Sequence, residues 1–221
     1  MKYFILFLFW TLQNFSQNVI NFEGEKINEL IGNNIKTGLW KIVDMEKGLI
    51  VNIEMLNDSL VSNIDYFRYS KLIATQNKNG SLIFYKNSDR IYCKIIKKNK
   101  INRIVKDNGE DVDAELSKLY FQSSEIKPLF YGGSEALRYA LLKYIDKEKT
   151  KNHYGKVKVK FLITNDGIIE NAEVVTSDDV FLNEEAIRIV KSLPRWQPAF
   201  WHGNFSKFSY TIPIDFGIKP Q

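Results

Sequence analysis

The chain has one cysteine, Cys93, so no disulfide can form within it. Cys93 lies in the strand-like run 90–96, where a small core residue is expected rather than a nucleophile. There are only two histidines, His153 and His202, and no Cys/His/Asp group has metal-ligand spacing, which argues against a metal. No G-x-S-x-G elbow, phosphate-binding glycine loop or H-E-x-x-H pair occurs. The adjacent carboxylates Asp178/Asp179 and Glu184/Glu185 fit helix starts better than acid–base pairs. These absences point away from an enzyme and from any cofactor. Apolar runs of about 20 residues, needed to span a membrane, are also missing. So are Pro-rich and Gly/Ser-rich stretches, which leaves no sequence for a stiff or flexible spacer. All five prolines lie at or after Pro128.

Charge is only mildly biased, at +5. The basic residues form two runs: Lys94, Lys97, Lys98, Lys100, Arg103 and Lys106, then Lys147, Lys149, Lys151, Lys156, Lys158 and Lys160. They fall on alternating strand positions or in turns, which predicts a solvated face and no nucleic-acid partner. At the N-terminus, Met1-Lys2 precedes an apolar stretch at 3–12 and a polar run at 13–17. That pattern predicts a signal peptide over residues 1–17, cleaved near Ser16 and Gln17, and hence export. The competing reading is a buried first strand.

Residues 20–110 carry short apolar runs separated by Gly and Asn turns. Hairpins are expected over 39–43 with 49–55, 72–74 with 81–85, and 91–96 with 101–105. Asn79-Gly80 is a strong hairpin signal. The pieces Thr37-Gly38-Leu39-Trp40-Lys41 and Asn79-Gly80-Ser81-Leu82-Ile83-Phe84-Tyr85 resemble the Gly-aromatic hairpins of MORN-type repeats, without a regular spacing. Residues 107–111 break the pattern and mark a domain boundary. A short helix over 112–121 and a linker complete the segment 111–127.

The second half is more regular. Ser134 is placed as an N-cap, and Ala136, Leu137, Ala140, Leu141, Tyr144 and Ile145 form a helical stripe. Val157, Val159, Phe161 and Ile163 make one face of a strand, Asn165-Asp166-Gly167 a turn, and 168–175 the returning strand. Asp178 or Asp179 caps a second helix that Pro194 ends. In the last strand Phe208, Tyr210, Ile212, Ile214 and Phe216 alternate with Lys207, Ser209, Thr211, Pro213 and Asp215, a period of two. Proline gives no ladder donor, so Pro213 predicts an edge strand. Strand directions lead to the same place: an antiparallel sheet of order 2-1-3 with two helices on one face. The expected fold is α+β, a β-hairpin meander followed by this unit over 128–217. An edge of this kind is either a hazard or a docking site. Phe200 and Trp201 either cover the sheet end or form an aromatic platform beside that edge.

The stretch Gly155-Lys156-Val157-Lys158-Val159-Lys160-Phe161, the Asn165-Asp166-Gly167 turn, Leu182-Asn183-Glu184-Glu185-Ala186, Leu193-Pro194-Arg195-Trp196-Gln197-Pro198-Ala199 and Tyr210-Thr211-Ile212-Pro213-Ile214-Asp215-Phe216 together resemble the C-terminal domain of TonB-type energy transducers, as in Bacteroidetes members. The resemblance implies a periplasmic or envelope interaction module of a Gram-negative bacterium. Its partner would be an extended N-terminal peptide of an outer-membrane receptor, or another envelope protein, added as a strand. Carried over by position, the docking edge is Asn204, Phe205, Ser206, Lys207, Phe208, Ser209, Tyr210 and Thr211. Gly155, Asp166, Gly167, Pro194, Trp196, Pro198 and Pro213 are structural, with Trp196 beneath the sheet. The alternative is a self-associating protein, a homodimer through the same edge. Two departures stand out: no spacer crosses the periplasm, and residues 149–154 replace the Tyr-Pro usual before the first strand.

Overall fold

The computed structural model describes residues 19–22, 24–86, 89–98 and 101–217. Residues 1–17, where a signal peptide is expected, lie outside them. A short hairpin of β1 (Ile20–Phe22) and β2 (Glu25–Ile27) leads into an eight-stranded antiparallel sheet. Its strands are β3 (Glu29–Ile31), β4 (Ile35–Asp44), β5 (Leu49–Leu56), β6 (Ser59–Arg68), β7 (Lys71–Gln76), β8 (Ser81–Lys86), β9 (Asp89–Lys98) and β10 (Ile101–Lys106). Each pairs with its neighbour in sequence. Three of the hairpins are those expected; β6 and β3 were not read from the sequence. The turns Asn57-Asp58 and Tyr69-Ser70 hold both residues at positive φ, the two-residue geometry that matches strand twist. Along β5, Leu49, Val51, Ile53 and Met55 point inward, as a period of two requires.

That inward face is covered from further along the chain. Asp113 caps α1 (Ala114–Ser124) by accepting from the Glu115 N–H at 2.7 Å. Leu116 and Tyr120 then enter the core with Trp40, Tyr66, Phe84 and Cys93. The expected short helix is present, and Val112, Leu116, Tyr120 and Ile126 of the segment 111–127 lie in the N-terminal core. Next comes β11 (Glu125–Ile126), which waits for strands made 70 residues later.

The second unit comprises α2 (Gly133–Tyr144), β12 (Lys156–Ile163), β13 (Ile169–Ser177), α3 (Asn183–Ser192), β14 (Ala199–Trp201), β15 (Asn204–Ser206) and β16 (Phe208–Asp215). β13, β12 and β16 form the three-stranded antiparallel sheet in the expected order 2-1-3. Val157, Val159, Phe161, Ile163, Ile212 and Ile214 meet Ala140 of α2 and Ala186, Ile189 and Val190 of α3 in one core. Trp196 is sealed beneath, edge-on to Phe130 at 5.3 Å and Phe161 at 5.8 Å.

Two helix starts differ from expectation. Ser134 does not cap α2; Gly132 occupies that position at φ 92°, a conformation that favours glycine. Asp179 caps a 3-10 turn at Val180–Leu182 ahead of α3, while Asp178 accepts from the Lys156 N–H at 2.9 Å. The larger departure is the path between the units. β14 and β15 leave the second unit as a hairpin, β14 pairs with β11, and Phe200 and Phe205 enter the N-terminal core. A T-shaped contact of 5.0 Å joins Phe205 to Trp40.

Candidate functional site

A strand edge exposes N–H and C=O groups that seek partners, so each sheet's edges show where binding is possible. In the large sheet β4 and β10 are covered in part, and the three-residue β3 ends the sheet on one side. On the β4 side, β3 pairs with residues 35–37. Beyond β3, side-chain amides replace a strand. Asn28 accepts from the Lys41 N–H at 2.7 Å and donates to its C=O at 3.0 Å. Gln197, 1% exposed, does the same for Val43, at 2.8 Å in both directions. On the β10 side, Lys106 donates to the Glu110 C=O at 2.8 Å and Val112 to the Ile104 C=O at 3.1 Å.

The small sheet treats its edges differently. β13 is irregular: its pairing with β12 shifts register twice, and Asn171 sits at φ 52°. Such bulges blunt an edge. β16 pairs with β12 in an unbroken register from Lys156↔Asp215 to Ile163↔Phe208. The Phe216 N–H donates to the Gly155 C=O at 2.9 Å, which fixes the alternation. Ile214, Ile212, Tyr210 and Phe208 direct their backbone groups to β12, and Ser209, Thr211, Pro213 and Asp215 direct theirs outward. On the other flank the Asp178 N–H bonds the Lys156 C=O at 3.0 Å, so Lys156 and Lys158 face β13, as this parity demands. Pro213 is opposite Lys158 in a pair without hydrogen bonds, where its missing N–H costs the ladder nothing. Among the described residues, no backbone hydrogen bond occupies the outer side of β16.

The eight edge residues taken from the resemblance do not share one strand. Asn204, Phe205 and Ser206 form β15, pairing with β14 because Phe205 is drawn into the N-terminal core. Lys207 is the exposed junction. Phe208, Ser209, Tyr210 and Thr211 lie on β16, whose open edge continues to Asp215. Trp201 is 51% exposed while Phe200 is 1% exposed, so this pair divides between platform and core.

Gly155 and Gly167 carry the tight geometry around the sheet. A Cβ on Gly167 would come within 1.9 Å of the Trp196 carbonyl oxygen, and the Trp196 N–H bonds the Gly167 C=O at 2.8 Å. Gly155, at φ 123°, packs against Asp178. Pro194 follows the end of α3, and Pro198 is buried between Gln197 and β14.

Asp166 does more than turn a hairpin: it binds the ammonium of buried Lys36 on β4. That ammonium lies 5.3 Å from the Phe205 ring centroid, and Arg195 stacks 5.6 Å over Trp40. Burial pushes the Arg195 guanidinium below its usual range, and its Nη2 donates to the Asn28 C=O. Asn28, Lys36, Arg195 and Gln197 thus weld the two units. None was singled out beforehand, although Arg195 and Gln197 stood inside a quoted motif.

Ser124, His202 and Glu125 lie in hydrogen-bond sequence, at 3.1 Å and 3.4 Å. Ser124 is fully buried and the His202 ring stacks on Tyr120, so no substrate carbonyl reaches the hydroxyl.

The small unit thus has two layers, with helices on one face of the sheet and one edge of unbroken register that no strand covers among the described residues. Residues 141–218 match the family model described as Gram-negative bacterial TonB protein C-terminal. Over this segment, about a third of the chain, the protein is similar to the TonB C-terminal domain, a family of envelope protein–protein interaction. The eight-stranded sheet lies outside the match. No curated protein and no solved structure matches the chain. Among the described residues, no helix is long and apolar enough to cross a membrane.

Proposed function

We propose that the protein docks an extended peptide of an outer-membrane transport protein along the free edge of β16, in the periplasm. The donors and acceptors are the backbone groups of Ser209, Thr211 and Asp215, with the C=O of Pro213. The observation that carries this reading is the edge of β16: eight residues in unbroken register with no strand on the outer side among the described residues, and strand addition draws its affinity from such main-chain groups. What precedes the domain is a folded sheet welded to it, not a stiff spacer, and this favours docking over force transmission.

The test is an NMR titration of the ¹⁵N-labelled protein with synthetic N-terminal peptides of outer-membrane receptors. Shifts concentrated at Ser209, Thr211 and Asp215, with none along β10, are expected. If no such peptide moves these amides, the reading fails. A second reading, self-pairing of two copies of β16, uses the same open edge. It requires a concentration-dependent dimer that protects those amides without any peptide.

A further inference from the structure

The outer face of the small sheet carries three lysines in a row on its central strand, and two have partners. Lys156 meets Asp215 at 3.4 Å, and Lys160 meets Glu173 at 3.1 Å. Lys158 lies between them. Its cross-strand neighbours are Thr176 and Pro213, neither charged, and among the described residues no carboxylate reaches its ammonium. It is exposed and directly behind the open edge.

Pro213 is the only residue separating Lys158 from whatever pairs with β16. It is short, and a lysine stem extends over such a neighbour while its ammonium stays in water. A strand added to β16 places the residue facing Pro213 on the same face as Lys158, because paired residues share a face. Residues on either side of that position turn inward, beside half-buried Tyr210 and buried Ile212 and Ile214.

From this we infer that Lys158 selects the docked strand by charge: the peptide carries Asp or Glu at the position facing Pro213, flanked by apolar residues. Pro213 contributes twice. It offers no donor to that residue's carbonyl, and it leaves the way to Lys158 unobstructed. The inference rests on the docking reading and adds the identity of one peptide position.

Ten-residue synthetic peptides that alternate Val with Thr, with Glu, Gln or Lys at one central Thr position, form the test. Binding to the full chain is measured at low and at high salt. The Glu peptide should bind about two- to five-fold more tightly than the Gln peptide, the range of a solvent-exposed ion pair. The preference should fade as salt screens it. In Lys158→Glu the order of the Glu and Lys peptides should invert. Equal affinities for Glu and Gln, with the β16 amides still shifting, overturn the charge selection and leave docking standing. If no peptide of the series or from receptors shifts those amides, both fall.

Discussion

The two sheets of this molecule solve the same problem in opposite ways. The large sheet covers the part of β4 beyond β3 with side-chain amides from Asn28 and Gln197, and the end of β10 with the 110–112 segment. The small sheet blunts β13 with register shifts and leaves β16 bare. An edge left open beside one closed with two buried carboxamides is a difference that folding alone does not require. Under the docking proposal, the large sheet is the scaffold and β16 the working surface.

The strongest attack on this comparison is to separate the sheets. A fragment ending at residue 127 loses Phe200 and Phe205 from its core and Gln197 from its edge. It should lack a cooperative thermal transition and give a poorly dispersed amide spectrum. A well-dispersed spectrum would show the N-terminal sheet to be self-sufficient.

Next in size is Gln197→Leu, which keeps the volume and strips both bonds from Val43. Each buried backbone group left unpaired costs about 1–3 kcal/mol. Denaturant unfolding should show that loss, and light scattering should show association through the newly opened β4 edge.

Two prolines test the parity of β16. Tyr210→Pro removes an N–H that serves the ladder and should lower stability by about 1–3 kcal/mol. Thr211→Pro removes one that points outward; stability should change little, while peptide docking is lost. Equal destabilisation by both would refute the assigned alternation.

The smallest effect is acid sensitivity of the helix layer. The Arg188 guanidinium holds the Glu185 carboxyl below its ordinary range, helped by the Asp146 N–H at 2.9 Å. A depressed folded pKa means stability that is present above the unfolded value, about 4.3. It is lost as pH falls from there through the lower folded value. Melting temperature should drop across that window, and Glu185→Gln should flatten the drop.

Much of the second unit was legible because each segment there announces itself. The alternation in β16, the Asn165-Asp166-Gly167 turn and the stripe of α3 are local patterns, and Pro213 gave the edge. What was hidden is non-local. Nothing near Phe205 signals that it faces Trp40, 165 residues earlier, so the docking edge carried over from the resemblance includes 204–206. Asn28 and Gln197 give no signal in the sequence, because an amide that imitates a strand leaves no periodicity. β6 was missed because Asn63 and Asp65 dilute its apolar alternation.

The β14–β15 hairpin, which crosses from one unit into the core of the other, also has a consequence in time. A chain is made from its N-terminus, and contacts between distant segments slow folding. The first hundred residues of this protein can build strands as they emerge, but Trp40 and Tyr66 remain uncovered until Phe200 and Phe205 arrive. Almost the whole polypeptide must be present before the packing of the N-terminal core is complete.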